Sequence, residues 1–160
     1  MKTDQDDYLR AFIDTEFTDF QGMKLISFAL VTEDGRSIYC ELSDTWEIRD
    51  CSDFVLDVVL PLLGSPERRL TAAQARQAVK SWIEALGRPV MLYSDSIWHD
   101  ETAFMSLFEN HMDEWPSNLF DGFVSFQPSN EIDFKALGLR EHHALDDAIA
   151  LRNAYFLTQN

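Results

Sequence analysis

The stretch LRAFIDTE, residues 9–16, decides the architecture. Read as an extended strand, it places Phe12, Asp14 and Glu16 on one face and Ala11, Ile13 and Thr15 on the other. Leu25 to Val31 is a second apolar run. Glu33-Asp34-Gly35-Arg36 follows, and Asp-Gly between apolar runs is a hairpin signal, so Ser37 to Leu42 returns as a third strand. Beyond it the pattern becomes helical. Asp53 to Leu63 predicts a helix ending at Gly64-Ser65-Pro66, and a second runs from Thr71, a good N-cap, to about Leu86, where Gly87 stops it. Pro89 to Tyr93 predicts a short strand, about Ile97 to His111 a helix, about Gly122 to Phe126 a strand, and about Ala144 to Leu157 a last helix. Strands first, then helices alternating with short strands, predict one mixed α/β sheet with helices on its faces.

The composition bounds this reading. At 160 residues the chain fits one domain, residues 1–160, and is short for two. A hydrophobic share of 46%, with twelve Phe and four Trp, is enough for an ordinary core. MKTDQDDYLR has no apolar region of the secretory type, and no apolar run approaches the roughly 18 residues of a membrane span. Cys40 and Cys51 lack metal-type spacing and read as free thiols in a reducing compartment. The expectation is a soluble, cytoplasmic protein with no membrane partner. A net charge of −15, from 13 basic and 28 acidic residues, argues against wrapping a long duplex, which rests on Lys and Arg neutralising phosphates. Divalent cations would barely change that total, yet they would put positive charge where a phosphate must sit.

Three segments carry candidate chemistry. Asp14 and Glu16 leave the same face of the first strand, where paired carboxylates raise each other's pKa unless a cation neutralises them. A solvated strand end is the bland alternative. In LYSDSIWHDETAFMSLF, Asp100, Phe104, Leu107 and His111 fall on one helical stripe, so Asp100 shares a face with core residues, at a cost unless it has a partner. An acid favoured by the helix dipole is the alternative there, and Asp95 is a rival inward carboxylate. In EHHALDDAIALRNAYF, Leu145, Ile149, Arg152 and Phe156 define one stripe, with Ala148, Leu151 and Tyr155 on its flank. Small Ala144 and Ala148 would let the helix approach the sheet closely. The five-residue step from His142 to Asp147 lets a loop histidine and a helix carboxylate converge, with His143 the neighbouring candidate.

Taken together and in order, these segments resemble the DEDDh 3′-5′ exonucleases, the family of RNase T, oligoribonuclease and polymerase proofreading domains. Asp14-Thr15-Glu16 is similar to its first motif, Asp100 to its second, and His142, Ala144, Asp147 and Ala148 to its third. DFVLDVVLPLL after a hairpin also resembles the small stand-alone exoribonucleases. Two positions depart from the pattern: Ser96 or Asp95 and His99 replace the usual Asn and Phe, and Phe17-Thr18-Asp19-Phe20 lacks the usual Gly.

The resemblance implies an RNase H-like mixed sheet with helices on both faces. It implies that Asp14, Glu16, Asp100 and Asp147 hold two Mg²⁺ or Mn²⁺ ions roughly 3.5–4 Å apart, with Asp95 still a rival to Asp100. His142 would be the general base, with the product a nucleoside 5′-monophosphate. Phe17, Met23 and Trp98 are candidates to grip an unpaired base, with core packing as their alternative. The implied partner is the 3′ end of single-stranded RNA or a short oligonucleotide, RNA favoured over DNA, and a homodimer is compatible with the family. The competing readings are an inactive RNA- or protein-binding module, an RNase H-type endonuclease and an acidic structural domain.

Overall fold

The computed structural model describes residues 7–159. The opening MKTDQD, part of the segment read above as free of a signal-type apolar region, lies outside the described residues. Strands β1 (Leu9–Phe17), β2 (Leu25–Thr32), β3 (Ser37–Glu41), β4 (Val90–Ser94) and β5 (Leu119–Ser125) form one sheet in the order β3-β2-β1-β4-β5. The first three form an antiparallel meander, and β4 and β5 run parallel to β1. The Asp-Gly turn forms as expected. Gly35 adopts φ 90° there, and Thr32 and Arg36 close the hairpin through a 2.8 Å backbone bond.

Helices cover both faces. On one side α1 (Ala72–Ala85) and α2 (Ile97–Ser106) bury Val79, Ile83, Phe104 and Phe108 against Leu9, Ala11, Ile13, Phe28 and Leu30. Thr71 caps α1 in a reciprocal pair with Gln74. After the short α3 (Phe134–Leu137), α4 (Ala144–Leu157) lies on the opposite face. Ala144 and Ala148 press onto Ala29 and Val31, and Leu151 packs on Phe12 and Tyr93. The alternation read in residues 9–16 therefore sorts β1 correctly between two cores.

Three elements differ from the sequence expectation. The helix expected to reach His111 ends at Ser106, because the next turns tighten to bonds three residues back and Asn110 takes φ 63°. His111 is therefore exposed and off the Asp100–Phe104–Leu107 stripe. Residues 53–63 coil without a regular α-helix. A π-helical turn, Val55–Val59, passes into a 3₁₀ turn, Leu60–Leu62, since Pro61 lacks the N–H that an α-helix would need there. On α4 the sheet-facing stripe is Ala144, Ala148 and Leu151, the expected flank, because small side chains allow the closest approach. Arg152 instead sits at the margin and donates to the carbonyls of Thr32 and Glu33, tying α4 to the hairpin.

Candidate functional site

Parallel β1 and β4 are adjacent, with Phe12 paired to Tyr93, so their carboxyl ends open on the same edge of the sheet. Asp14 and Glu16 leave β1 on the face that α4 covers. A register shift between Glu16, paired to Ser27, and Phe17, paired to Leu25, bulges the ladder beside these acids. Asp95 follows β4, Asp100 lies in the first turn of α2 and Asp147 in the first turn of α4. Ligand-type atoms of Glu16, His142 and Asp147 lie within 4.8 Å of one another, and so do those of Asp14, Asp95 and Asp100. The fold thus brings together the four acids and the histidine singled out in the sequence, and it adds Asp95.

The carboxylates are held unequally. Asp100 is buried, its Oδ1 accepting from the Thr15 backbone N–H (3.1 Å) and hydroxyl (2.6 Å), its Oδ2 from the Ser94 hydroxyl (2.5 Å). Asp147 Oδ2 accepts from the His142 backbone N–H at 3.0 Å. Asp14 Oδ2 and Asp147 Oδ1 are buried with no hydrogen-bond partner among the described residues. Buried acceptors are rarely left unpaired, because their desolvation is then uncompensated. An all-carboxylate cluster with inward unpartnered oxygens suits a hard divalent cation.

The protonation equilibria agree. Burial first, and then the charges of Asp100, Glu16, Asp147 and Asp95, push Asp14 well above the usual carboxylate range. Burial followed by repulsion from Asp147 and Asp100 raises Glu16 to about 8. Burial lifts Asp147 to about 7 although the His142 N–H opposes it, and lifts Asp100 to about 6 against its Ser94 and Thr15 bonds. Unfolded carboxylates titrate near pH 4, so the folded state retains protons that the unfolded state has lost between about pH 4 and 8. Stability from these groups is therefore present at the acid end of that window and lost as pH rises. In chelator, the melting temperature should fall between about pH 5 and 8, and millimolar Mg²⁺ or Mn²⁺ should flatten the fall. A level or rising melting curve in chelator would contradict this assignment.

Beside the carboxylates lies a cavity of about 430 Å³, walled by Phe17, Phe20, Phe54, Val55 and Val59 and bordered by Asp14, Glu16, His142 and Asp147. Phe17 stacks on His99 (centroids 5.8 Å, 22°), Phe20 meets both rings edge-on, and Phe54 stands at 88° to the His142 ring, 5.0 Å away. Phe20 is 72% exposed and Phe54 50%. Neither was singled out in the sequence. A Ser52 N–H to Thr18 carbonyl bond of 2.9 Å joins the loops that carry them, and with the packing of Val55 and Val59 on Ile26 it brings Phe54 near β1.

Other candidates fall elsewhere. Met23 is buried in the α1/α2 core and does not line the cavity, which removes it as a base platform. Trp98 is exposed, packs edge-on to His99 and is not among the residues that line the cavity. His143 is buried with its ring tilted over Tyr39 at 4.8 Å, and burial holds its pKa below the usual imidazole value. It lines neither cavity beside the carboxylates and is a packing residue rather than a second candidate base.

Compared with protein-family models and with curated proteins, the sequence matches none. Solved structures do match. An apo exonuclease I superposes with a TM-score of 0.62 at 14% identity, over 96% of this chain and 42% of that one. A product-bound exonuclease I gives 0.61 at 14%, over 96% and 44%. The zinc-bound form of an E. coli exonuclease I complex with single-stranded DNA gives 0.54 at 14%, over 94% and 39%. This chain has the exonuclease I fold. It spans about two fifths of the length of those structures. The sheet order and the helices on both faces are those of an RNase H-like exonuclease fold, with the carboxylate cluster at the sheet edge where β1 and β4 end. Among the described residues no helix is long and apolar enough to cross a membrane.

Proposed function

We propose that this chain is a metal-dependent nuclease that removes nucleotides from the 3′ end of single-stranded or short nucleic acid. One observation carries the reading: a carboxylate cluster with unpartnered inward oxygens opens onto an aromatic-walled cavity through the same four residues, Asp14, Glu16, His142 and Asp147. The likeness to exonuclease I supports it at the level of fold, and one of those structures is described as a single-stranded DNA complex.

Asp14, Glu16, Asp100 and Asp147 are the acids assigned to hold two divalent ions, Mg²⁺ or Mn²⁺ by the hardness of the oxygen donors. Ions bound there supply charge at the scissile phosphate and lower the pKa of the attacking water. Asp100, fixed by Thr15 and Ser94, holds the start of α2 against β1. His142 lines both cavities, which supports its assignment as the group that takes the water's proton. The water oxygen bonds to phosphorus, the bond from phosphorus to the 3′ oxygen breaks, and a nucleoside 5′-monophosphate leaves. The aromatic cavity receives the terminal base. Base stacking on one aromatic is worth about 1–3 kcal/mol. Phe20→Ala should therefore raise KM roughly 5- to 100-fold with a smaller change in kcat, read from steady-state kinetics on a short oligonucleotide.

Among the described residues, no lysine or arginine lines either cavity beside the carboxylates, which favours one strand end over an extended or duplex polyanion. RNA is favoured by similarity to stand-alone exoribonucleases, and DNA belongs in the same experiment. The test is a time course on 5′-labelled single-stranded RNA and DNA with Mn²⁺ or Mg²⁺. A ladder shortening one nucleotide at a time supports the reading. Cleavage of a circular strand would replace it with an endonuclease, and Mn²⁺ binding without cleavage of any substrate would replace it with a binding module.

A further inference from the structure

We propose that Asp95 is a direct ligand of the ion bound by Asp14, making a fifth carboxylate at the centre, while Asp100 serves mainly as the strut that fixes Thr15 and Ser94 around it. The inference rests on the metal-centre reading above. A carboxylate offers about four lone-pair sites. Three of those on Asp100 are taken by the Thr15 N–H, the Thr15 hydroxyl and the Ser94 hydroxyl, which leaves it one. Asp95 is exposed, with a ligand atom within 4.8 Å of those of Asp14 and Asp100, and among the described residues the donor to its carboxylate is its own backbone N–H. Asp14, in the same triad, presents a buried Oδ2 with no partner. The main chain at Asp95 is also held in place. Its carbonyl accepts from the Gln127 side-chain amide, the Ser94 carbonyl accepts from the Phe126 N–H at 2.9 Å, and the Ser96 N–H bonds the Ser94 hydroxyl at 3.0 Å. The exit of β5 thus fixes Asp95 at the lip of β4, as an anchored neighbour fixes a metal ligand.

The test is Mn²⁺ titration by calorimetry of the metal-free wild type, Asp95→Asn and Glu131→Gln. Glu131 lines the same cavity as Asp14 and Asp95 but stands outside both ligand groups, so its variant removes one nearby charge without removing a ligand. The expected result is a dissociation constant raised at least about tenfold by Asp95→Asn, and changed by no more than about twofold by Glu131→Gln, as suits a screened charge at the mouth. Equal weakening by both variants, or wild-type binding in Asp95→Asn, overturns the role of Asp95 and leaves the metal centre standing. A wild type that binds no Mn²⁺ overturns the metal centre itself. A spectroscopic readout separates ligation from structural support. Asp95→Cys titrated with Cd²⁺ should develop a cadmium–thiolate absorption band that the wild type, with Cys40 and Cys51 in place, lacks. Absence of that band in a folded variant also counts against direct ligation.

Discussion

Asp147→Asn should lower turnover by about a thousandfold or more and, in the same protein stripped of metal, raise the melting temperature at pH 8. The first effect follows from the charge that a bound ion places on the reacting phosphate, worth several kcal/mol, where each 1.36 kcal/mol is about tenfold in rate. The second follows from the environment of the carboxylate. Asp147 titrates at about 7 because it is buried, and at pH 8 it is mostly ionised beside Glu16 and His142. An amide removes that charge, and its oxygen can still accept the His142 N–H. At about pH 5 the native carboxyl is already protonated, so the stabilisation should vanish there. Single-turnover kinetics and thermal melts in chelator at the two pH values check both halves. Normal turnover by the variant would remove Asp147 from the ligand set. Lost turnover with a lowered melting temperature at pH 8 would mean that the variant is damaged rather than disarmed.

The second large effect concerns His142. Its backbone is left-handed, with φ 66°, a region that His and Asn enter more readily than most residues. Alanine there would add about 1–2 kcal/mol of strain and confuse the result, so Asn is the informative replacement. His142→Asn should cut kcat by about 10²- to 10⁴-fold, the usual contribution of a positioned base, while Mn²⁺ affinity stays close to wild type. Retained activity would exclude His142 as the base. A loss of Mn²⁺ affinity as large as that of an acid variant would make the imidazole a ligand instead, since its nitrogen lies within 4.8 Å of the Glu16 and Asp147 ligand atoms.

Much of this molecule was legible in the sequence where local rules act alone. Period-two alternation gave β1 its two faces, Asp34-Gly35 gave the hairpin, Thr71 gave the start of α1, and α4 runs over the residues expected of it. The acids that converge are those whose positions follow from strand alternation and first helical turns. What escaped depends on contacts distant in sequence. Phe54 faces His142 because two loops are bonded through Ser52 and Thr18. Met23 is close to the acids along the chain, yet the turn that follows β1 carries it into the core. Asp95 and Asp100 were rivals as long as only one third acid was sought. The fold sets both beside Asp14, with hydroxyl and amide donors crowding Asp100. The end of α2 escaped too, because Phe108 and Trp115 meet edge-on at 4.9 Å across a tightened turn that hydrophobic periodicity cannot register.

The placement of Asp147 on α4, opposite Asp14 and Glu16 on β1, has a consequence for motion. The carboxyls of Asp147 and of the two β1 acids meet at the end of α4 that Ala144 and Ala148 seat on Ala29 and Val31, and further along Arg152 ties the helix to the hairpin carbonyls. A cation held between Asp147 and Glu16 would therefore join helix to sheet across a seam that is already packed, binding the two elements into one rigid unit.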